Sequence, residues 1–376
     1  MKKFISLAVV LLLVVAVFTA CGGAASDADP APAPDTTQVE EDEPTQVDED
    51  EPDQEDEDEP AQAGNDSPLR VAGVVFQEDQ FMRLVSLGYQ RAAEDFGVEV
   101  NLVNTNGDTA REMEMINTFV AQGFDGIAIC PINETTSVEV LRAASEEGGV
   151  YIAVSNLELN NAPFIVGGYT SNQYDLTVPS GLAARAFIEE RLENEWSDRT
   201  EITVAMLGAE SVLPEVTHDR WNGFLDQITD IPGIEIRVVA QQDGWLQDEA
   251  MAAVDGILAA NPDLDIFFGF NDGSTIGGVM AIRNAGRSGE TFVFGTDASE
   301  QVVEMLQSDD NILQFVTGQD PFTMGYNTMA LLIRALQGED YSATQGVVDY
   351  VGFVYLERGD EAGLTAFLDD LAEKMQ

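Results

Sequence analysis

Short apolar runs alternate with longer amphipathic segments along most of the chain, from residue 69 onward. Residues 70–76 read Arg-Val-Ala-Gly-Val-Val-Phe, an unbroken apolar run typical of a strand buried on both faces of a parallel sheet. Residues 81–96 follow with the spacing of a helix. Further strands are predicted at 98–103, 126–130, 150–154, 164–166, 202–207, 234–240, 266–270, 292–295 and 312–317. Further helices are predicted at 109–122, 138–147, 176–193, 220–228 and 248–260. Two more are predicted, one that includes Val279 and one that includes Val302.

Repeated strand–helix units of this kind imply parallel sheets joined by right-handed crossovers. Residues 68–376 are more than one hydrophobic core usually holds, because single cores stop growing and chains divide into domains. The pattern therefore predicts an α/β fold with two doubly wound, Rossmann-like parallel-sheet domains.

The first residues have the composition of a secretory signal. Lys2 and Lys3 precede an apolar run at 4–18, which is too short and wrongly flanked for a stable membrane span. The run ends in Phe18-Thr-Ala-Cys21, which looks like a lipobox, although that pattern prefers leucine where Phe18 stands. We therefore expect a lipoprotein signal peptide at 1–20 and lipidation of Cys21; an ordinary signal with an incidental cysteine is the alternative.

Residues 21–67 are predicted to be a disordered acidic tether. Residues 22–66 hold 18 acidic residues and no Lys or Arg, with several prolines and almost no large apolar side chain. Such a segment cannot bury enough surface to offset its chain entropy, and its charge and prolines extend it. It serves either as a tether through a cell wall or surface layer, or as a solvated spacer without a required length.

Charge excludes several partners for the remainder of the chain. Beyond the signal and tether there are 50 acidic and 15 basic residues, a formal charge near −35, with Lys374 as the one lysine. Such a surface repels nucleic acid and anionic membranes, and it suits either a salty habitat or a surface kept soluble by charge. Cys130 ends an apolar run and reads as a buried small residue; with Cys21 acylated, no disulfide is expected.

Polar or aromatic residues stand where the predicted strands end. Open parallel sheets bind ligands outside the carboxyl ends of their strands. Carboxylate, amide and guanidinium groups there could satisfy the hydroxyls of a polyhydroxylated ligand, and aromatic rings could cover its CH surface. The candidates are Asp79, Phe81, Asn156, Arg220, Trp245, Asn271, Asp297 and Gln319.

Three motifs, in this order and spacing, resemble the type I periplasmic sugar-binding proteins, the group of the ribose and glucose/galactose receptors. They are Phe268-Gly-Phe-Asn-Asp272, Phe294-Gly-Thr-Asp297, and Thr317-Gly-Gln-Asp-Pro321 followed by Met-Gly. The resemblance covers about 69–355. It implies two lobes joined by a three-strand hinge, the first at 68–170 plus 320–349 and the second at 171–319 plus 350–376, with a last helix at 361–374 outside.

The resemblance also implies roles for the first group of candidates. Asp79 would take a sugar hydroxyl and Phe81 would stack on the ring. Asn156 matches a position where Asn or Asp binds the sugar, although the following residue, usually basic, is Leu157 here. Arg220 would grip the ring and anomeric oxygens. The polar residues that precede this arginine in the hexose receptor are replaced by an apolar stretch at 213–216, which suggests a smaller or less polar ligand than glucose.

The remaining candidates complete the implied shell. Trp245 would form the second stacking face, and Asn271, Asp297 and Gln319 would supply the remaining polar contacts. Each candidate also has a purely structural interpretation. The acid and amide groups could cap helices or stabilise turns, the aromatic residues could belong to the core, the arginine could form a surface ion pair, and the glutamine could serve the hinge. His218, the single histidine, reads as an exposed residue at a helix start.

Catalysis finds little support in the sequence. The single histidine has no nucleophile signature beside it, no His/Cys cluster could hold a metal, and the Gly-rich segment 273–278 lacks a phosphate-binding lysine. No cofactor and no enzyme activity are expected, although a secreted carbohydrate-active enzyme is an alternative that incubation with sugars would test.

The expected protein is an extracytoplasmic, lipid-anchored monomer that delivers a small ligand, a monosaccharide, to the permease of an ABC importer. It would touch the membrane through the lipid alone and bind no nucleic acid. The alternative is a sensory receptor for a sugar, nucleoside or autoinducer-like ligand that feeds a chemoreceptor or a histidine kinase.

Overall fold

The computed structural model describes residues 68–133, 135–159 and 162–375. The predicted signal, Cys21 and the predicted tether lie outside the described residues. Within them, no helix is both long enough and apolar enough to cross a membrane.

The first sheet has six parallel strands in the order β11-β5-β4-β3-β1-β2. Its central strands are wholly buried because each is a continuous apolar run, as in Val71–Val75 and Gly126–Ile129. The strands are β1 Val71–Val75, β2 Val100–Asn104, β3 Gly126–Ile129, β4 Tyr151–Ser155, β5 Ile165–Thr170 and β11 Val348–Tyr350.

The second sheet repeats this order as β12-β10-β9-β8-β6-β7. Its strands are parallel except for β12, which pairs antiparallel to β10. The strands are β6 Glu201–Gly208, β7 Glu235–Asp243, β8 Ile266–Gly269, β9 Phe292–Thr296, β10 Leu313–Gln319 and β12 Phe353–Glu357.

Helices cover both faces of each sheet. Together with the first sheet, α1 Gln80–Asp95, α2 Thr109–Ala121, α3 Thr136–Glu146 and α9 Pro321–Leu336 form what we call the first lobe. The second lobe consists of the second sheet with α4 Gln173–Glu193, α5 Pro214–Ile228, α6 Gln247–Ala260, α7 Asp272–Asn284, α8 Glu300–Gln307 and α10 Glu361–Lys374. The chain passes between the sheets three times: between β5 and α4, between β10 and α9, and between β11 and β12. The predicted α/β class with two doubly wound sheets is confirmed.

Each lobe contains at least one pair of helices in backbone contact. A Cβ on Gly88 of α1 would lie 2.3 Å from the carbonyl oxygen of Phe322, and one on Gly325 of α9 would lie 2.2 Å from that of Val85. In the second lobe, a Cβ on Gly223 of α5 would lie 2.3 Å from a carbonyl oxygen of α4. Glycine therefore lets α9 lie directly on α1, and α4 on α5, in positions where any side chain would hold the helices apart.

The structure corrects some predicted boundaries. Helix α5 begins at Pro214, so Arg220 and His218 lie inside the helix and not at its start; proline is suited to the first helical turn, where its missing N–H costs nothing. His218 is exposed, as predicted. Cys130 is fully buried and reduced, and burial raises the pKa of its thiol to about 12.

Candidate functional site

All eight candidate ligand-binding residues line one pocket between the lobes. The pocket holds about 520 Å³ of space when its opening to solvent is counted. The predicted lining residues are Asp79, Phe81, Asn156, Arg220, Trp245, Asn271, Asp297 and Gln319.

Eight further residues line the same pocket and were not predicted to bind. Their sequence signal was weak because several lie inside helices or adjoin a candidate that was chosen in their place. They are Phe76, Gln77, Met82, Gln173, Leu213, Val216, Phe270 and Asp272.

Two candidates adopt the left-handed backbone conformation directly after a strand. Asn156 follows β4 with φ +60°, and Asp297 follows β9 with φ +67°. Asn and Asp tolerate this conformation better than other residues with a Cβ. The backbone N–H of Asn156 donates to the carbonyl oxygen of Tyr169 (3.1 Å), and the backbone N–H of Asp297 donates to that of Thr317 (2.8 Å). The neighbouring strand therefore holds each sharp turn in place while the side chain lines the pocket.

Arg220 and Asp297 form a buried ion pair in the pocket wall. Arg220 is 4% exposed and Asp297 6% exposed, with 3.6 Å between Nη1 and Oδ2. Arg220 also donates from Nε to Gln173 Oε1 (2.8 Å) and from Nη1 to Phe270 O (2.6 Å). Its guanidinium carbon lies 4.6 Å from the centroid of the Phe270 ring. Burial lowers the pKa of Arg220 and raises that of Asp297, although the ion pair favours both charged forms.

Hydrogen bonds continue from this pair to two of the chain crossings. Gln319, the last residue of β10, donates from Nε2 to Asp297 Oδ1 (2.7 Å). On the other side, Gln173 donates from Nε2 to Ser171 O (2.7 Å), directly after β5. The ion pair of the pocket is thus connected through side-chain amides to the crossings after β5 and after β10.

Two polar candidates cap helices while lining the pocket. Asp79 Oδ1 accepts from the Met82 amide (2.7 Å) at the start of α1. Asn271 Oδ1 accepts from the backbone N–H of Ser274 (2.9 Å), and Ser274 Oγ accepts from the backbone N–H of Asn271 in return. The two bonds form a capping box at the start of α7. Capping satisfies one oxygen of each side chain, so the second carboxylate oxygen of Asp79 and the amide group of Asn271 are available to a ligand.

Aromatic and aliphatic side chains form the apolar part of the wall. The rings of Phe76 and Trp245 meet edge to face across the two lobes, with 6.5 Å between centroids. Phe81 packs on the first-lobe core beside them. Leu213 and Val216 also line the pocket and belong to an apolar cluster against which Trp245 packs. Part of the pocket wall is therefore apolar.

Carboxylates outnumber cations among the described residues of the pocket. Burial, and then the nearby charges of Asp297 and Glu78, raise the pKa of Asp79 to about 6 against the lowering effect of its capping bond. Burial, followed by the charges of Asp79 and Asp297, raises the pKa of Asp272 to about 7. The described residues contain no group of three His, Cys, Asp or Glu side chains arranged to hold a metal.

A family model described as a periplasmic binding protein domain matches residues 73–340. The chain is 27% identical to the ABC transporter periplasmic-binding protein YphF of Escherichia coli over 275 residues, 70% of this chain and 79% of the relative. It is also 27% identical to a D-apiose import binding protein of Actinobacillus succinogenes over 236 residues, 62% of this chain and 71% of the relative.

Solved structures share the fold at low sequence identity. A solute-binding protein from Actinobacillus succinogenes with bound D-allose superposes with a TM-score of 0.66 at 19% identity, covering 80% of this chain and all of that one. One from Bacillus halodurans with bound myo-inositol gives 0.65 at 17% identity, covering 81% and 98%. The chain belongs to the periplasmic binding protein family, in the type I group that its motifs predicted, and it is therefore an extracytoplasmic substrate-binding protein and not an enzyme.

Proposed function

We propose that the pocket binds a monosaccharide or a similar small polyol. The observation that supports this most strongly is the combination of the buried Arg220–Asp297 pair with the aromatic wall around Trp245. Polar planar groups beside apolar faces match a ring that carries hydroxyls on its edge and CH groups on its faces. The relatives are named for D-apiose, D-allose and D-ribose.

Binding would require closure of the two lobes about the three crossings. Asp79, Phe81 and Asn156 come from the first lobe, whereas Arg220 and Trp245 come from the second, so neither lobe alone supplies a full shell. Hinge closure around a ligand is a common solution for such a divided site. Gln80 Oε1 already accepts from the Glu300 amide across the lobes (3.0 Å), which is a contact that closure would use.

The closed complex would be delivered to the permease of an ABC importer, because the relatives that resemble this chain are named as ABC transporter or import binding proteins. The alternative is delivery to a sensory receptor. A permease and an ATPase encoded beside this gene, with capture of that permease in a pull-down, would support import, whereas capture of a chemoreceptor or histidine kinase would support sensing.

A thermal-shift screen with monosaccharides and polyols tests the ligand class directly. A ligand that binds the folded state alone raises the melting temperature by mass action. At a ligand concentration one hundred times Kd, it adds about 2.7 kcal/mol to the free energy of unfolding. Small-angle scattering on the positive compounds should show a smaller radius of gyration. The proposal fails if no sugar or polyol shifts the melting temperature, or if the hits leave the radius unchanged.

We extend the proposal to the anchor: Cys21 carries the lipid that holds the protein at the membrane, as the lipobox at 18–21 suggests. Two or more acyl chains suffice for stable anchoring. Cys21→Ser should move the protein from the detergent phase to the aqueous phase in phase partitioning. Cys130→Ser is the control, since that cysteine is buried and should leave partitioning unchanged. Equal partitioning of wild type and Cys21→Ser would contradict a lipid at this position.

A further inference from the structure

The charges that face the pocket do not balance. Among the described lining residues, Asp79, Asp272 and Asp297 are acidic and Arg220 is the one cation. Arg220 is already paired with Asp297 at 3.6 Å. The carboxylates of Asp79, from the first lobe, and Asp272, from the second, therefore lie in the pocket without a salt bridge among the described residues, although the charge of Asp272 also acts on Arg220.

Some donors of the pocket are already engaged. The side-chain amide groups of Gln173 and Gln319 donate to Ser171 O and to Asp297 Oδ1, and the guanidinium of Arg220 donates to Gln173 and to Phe270 O. The side-chain amide groups of Asn156 and Asn271 are available to a ligand. Acceptors are available as well, because Gln319 Oε1 has no partner among the described residues, and Asp79 and Asp272 each engage one carboxylate oxygen with a backbone N–H and keep the other for a ligand.

The hydroxyls of a neutral ligand could donate to these oxygens, but they would leave the negative charge uncompensated. Closing a pocket around two carboxylates without an ion-pair partner is costly unless they are protonated or meet a cation. Burial and the charges of Asp297 and Glu78 raise the pKa of Asp79 to about 6, and burial and the charges of Asp79 and Asp297 raise that of Asp272 to about 7. Arg220 also interacts with the charge of Asp272, but its ion pair is with Asp297.

We propose that the ligand carries a protonated amino group, as an amino sugar or an amino-substituted cyclitol, and that Asp79 and Asp272 hold this ammonium group between the two lobes. This inference rests on the proposed function and narrows its ligand class. An ammonium group offers three donors and no acceptor, which suits the carboxylate oxygens of Asp79 and Asp272. It also replaces repulsion between carboxylates of opposite lobes by attraction through a shared cation, so the charge itself favours closure.

Matched ligands test the charge apart from the shape. The purified full chain is titrated calorimetrically at pH 7 with D-glucose, D-glucosamine and N-acetyl-D-glucosamine, then with the galactose series, and with myo-inositol against an inosamine. Within a series the amine should bind roughly 10- to 100-fold tighter than its hydroxyl and N-acetyl counterparts, the range for one or two hydrogen bonds to charged groups.

Variants assign the preference to the two carboxylates. Asp272→Asn and Asp79→Asn should each reduce the preference for the amine over its neutral counterparts about tenfold. Asp255→Asn removes the same charge from an exposed position on α6 and should leave that preference unchanged. Either variant suffices if the other fails to fold.

The outcomes separate this inference from the proposed function. Tighter binding of a neutral sugar or polyol than of its amine would overturn the ammonium site while the sugar-binding function stands. Amine preference that survives both Asp→Asn variants would overturn the assignment to these carboxylates. Failure of every compound to bind would overturn the proposed function and the ammonium site together.

Discussion

The two lobes contribute to the pocket in different ways. The second lobe presents side chains that the protein already holds: Arg220, Asp297 and Gln319 are almost fully buried and bonded to one another or to backbone. The first lobe presents partly exposed groups, Asp79, Phe81 and Asn156, on a helix start and a strand end. A prearranged wall loses little side-chain entropy on binding. We therefore expect the ligand to bind first to the second lobe, and the first lobe to close over it.

The largest effect should follow from breaking the ion pair of the second lobe. Arg220→Met leaves Asp297 buried without its cation, and breaking such a pair costs about 3–5 kcal/mol, so we expect a large fall in the unfolding free energy and loss of ligand binding. Arg237→Met is the control, because Arg237 pairs with Glu201 on the surface and should cost at most about 1 kcal/mol. Chemical denaturation compares the two. Similar losses in both variants would mean that the pair in the pocket is not a structural element of this wall.

Trp245→Ala should weaken ligand binding by about 2–4 kcal/mol, as truncation of a central aromatic does, while the fold survives. The matched control is Trp196→Ala, because Trp196 packs in the second-lobe core beside Phe187 and Phe292, away from the pocket. That variant should lose stability and keep its affinity per folded molecule. Calorimetry on both, with melting curves, separates the roles; unchanged affinity in Trp245→Ala would place the ligand elsewhere.

Stability should also depend on pH through the acid that the second lobe buries in the pocket. Because the folded-state pKa of Asp272 is raised, to about 7, the folded state holds a proton that the unfolded chain releases near pH 4. The free energy of unfolding should therefore fall as pH rises from about 4 to 7. In Asp272→Asn, the fall in the free energy of unfolding over this pH range should be smaller by about 1–3 kcal/mol. This is less than the full pKa shift implies, because water in the cleft can solvate the charge.

Melting curves of wild type and Asp272→Asn at several pH values measure this difference. Asp255→Asn controls for the loss of one charge, since Asp255 is exposed. Parallel pH profiles in wild type and Asp272→Asn would show that this carboxyl titrates as it does in water.

The smallest effect concerns the first lobe, where capping and ligand binding share one side chain. Asp79→Ala should cost about 1 kcal/mol of stability through the lost cap of α1 and also weaken ligand binding. Asp108→Ala removes the equivalent cap of α2 and should cost the same stability without an effect on binding. Asp79→Asn keeps a capping oxygen and should restore most of the stability. Equal affinities in Asp79→Ala and Asp108→Ala would limit Asp79 to its structural role.

The sequence predicts the parts of this fold that depend on local pattern. Buried runs such as 71–75 and 266–269 identify the strands, and polar residues at their ends identify the mouth of the pocket, because parallel strands end at one edge of a sheet. The candidates at strand ends, among them Asn156 and Asp297, could be predicted from the sequence for this reason. Their residue types also suit the turns there, since Asn and Asp tolerate the left-handed conformation better than other residues with a Cβ.

Residues that depend on tertiary contacts were missed. Gln173 lies at the start of α4 and lines the pocket because it holds Arg220, which no local pattern shows. Strand β11 is partly exposed along its length, so it lacks both an apolar run and a clean alternation, and its pairing with β5 fixes it. The start of α5 was predicted at Arg220, six residues late, because the stretch at 213–216 was assigned to the loop before the helix, whereas the helix begins at Pro214.

The backbone contacts between glycine-bearing helices have a mechanical consequence. Helix α9 follows the crossing after β10 and lies on α1, which carries Phe81; α4 follows the crossing after β5 and lies on α5, which carries Arg220. Because each pair is packed backbone to backbone, we expect its two helices to move together as one rigid unit, so that rotation at a crossing moves the ligand-bearing helix with it. Spin labels on α1 and α9 should thus keep their separation while labels on α1 and α5 approach each other during closure.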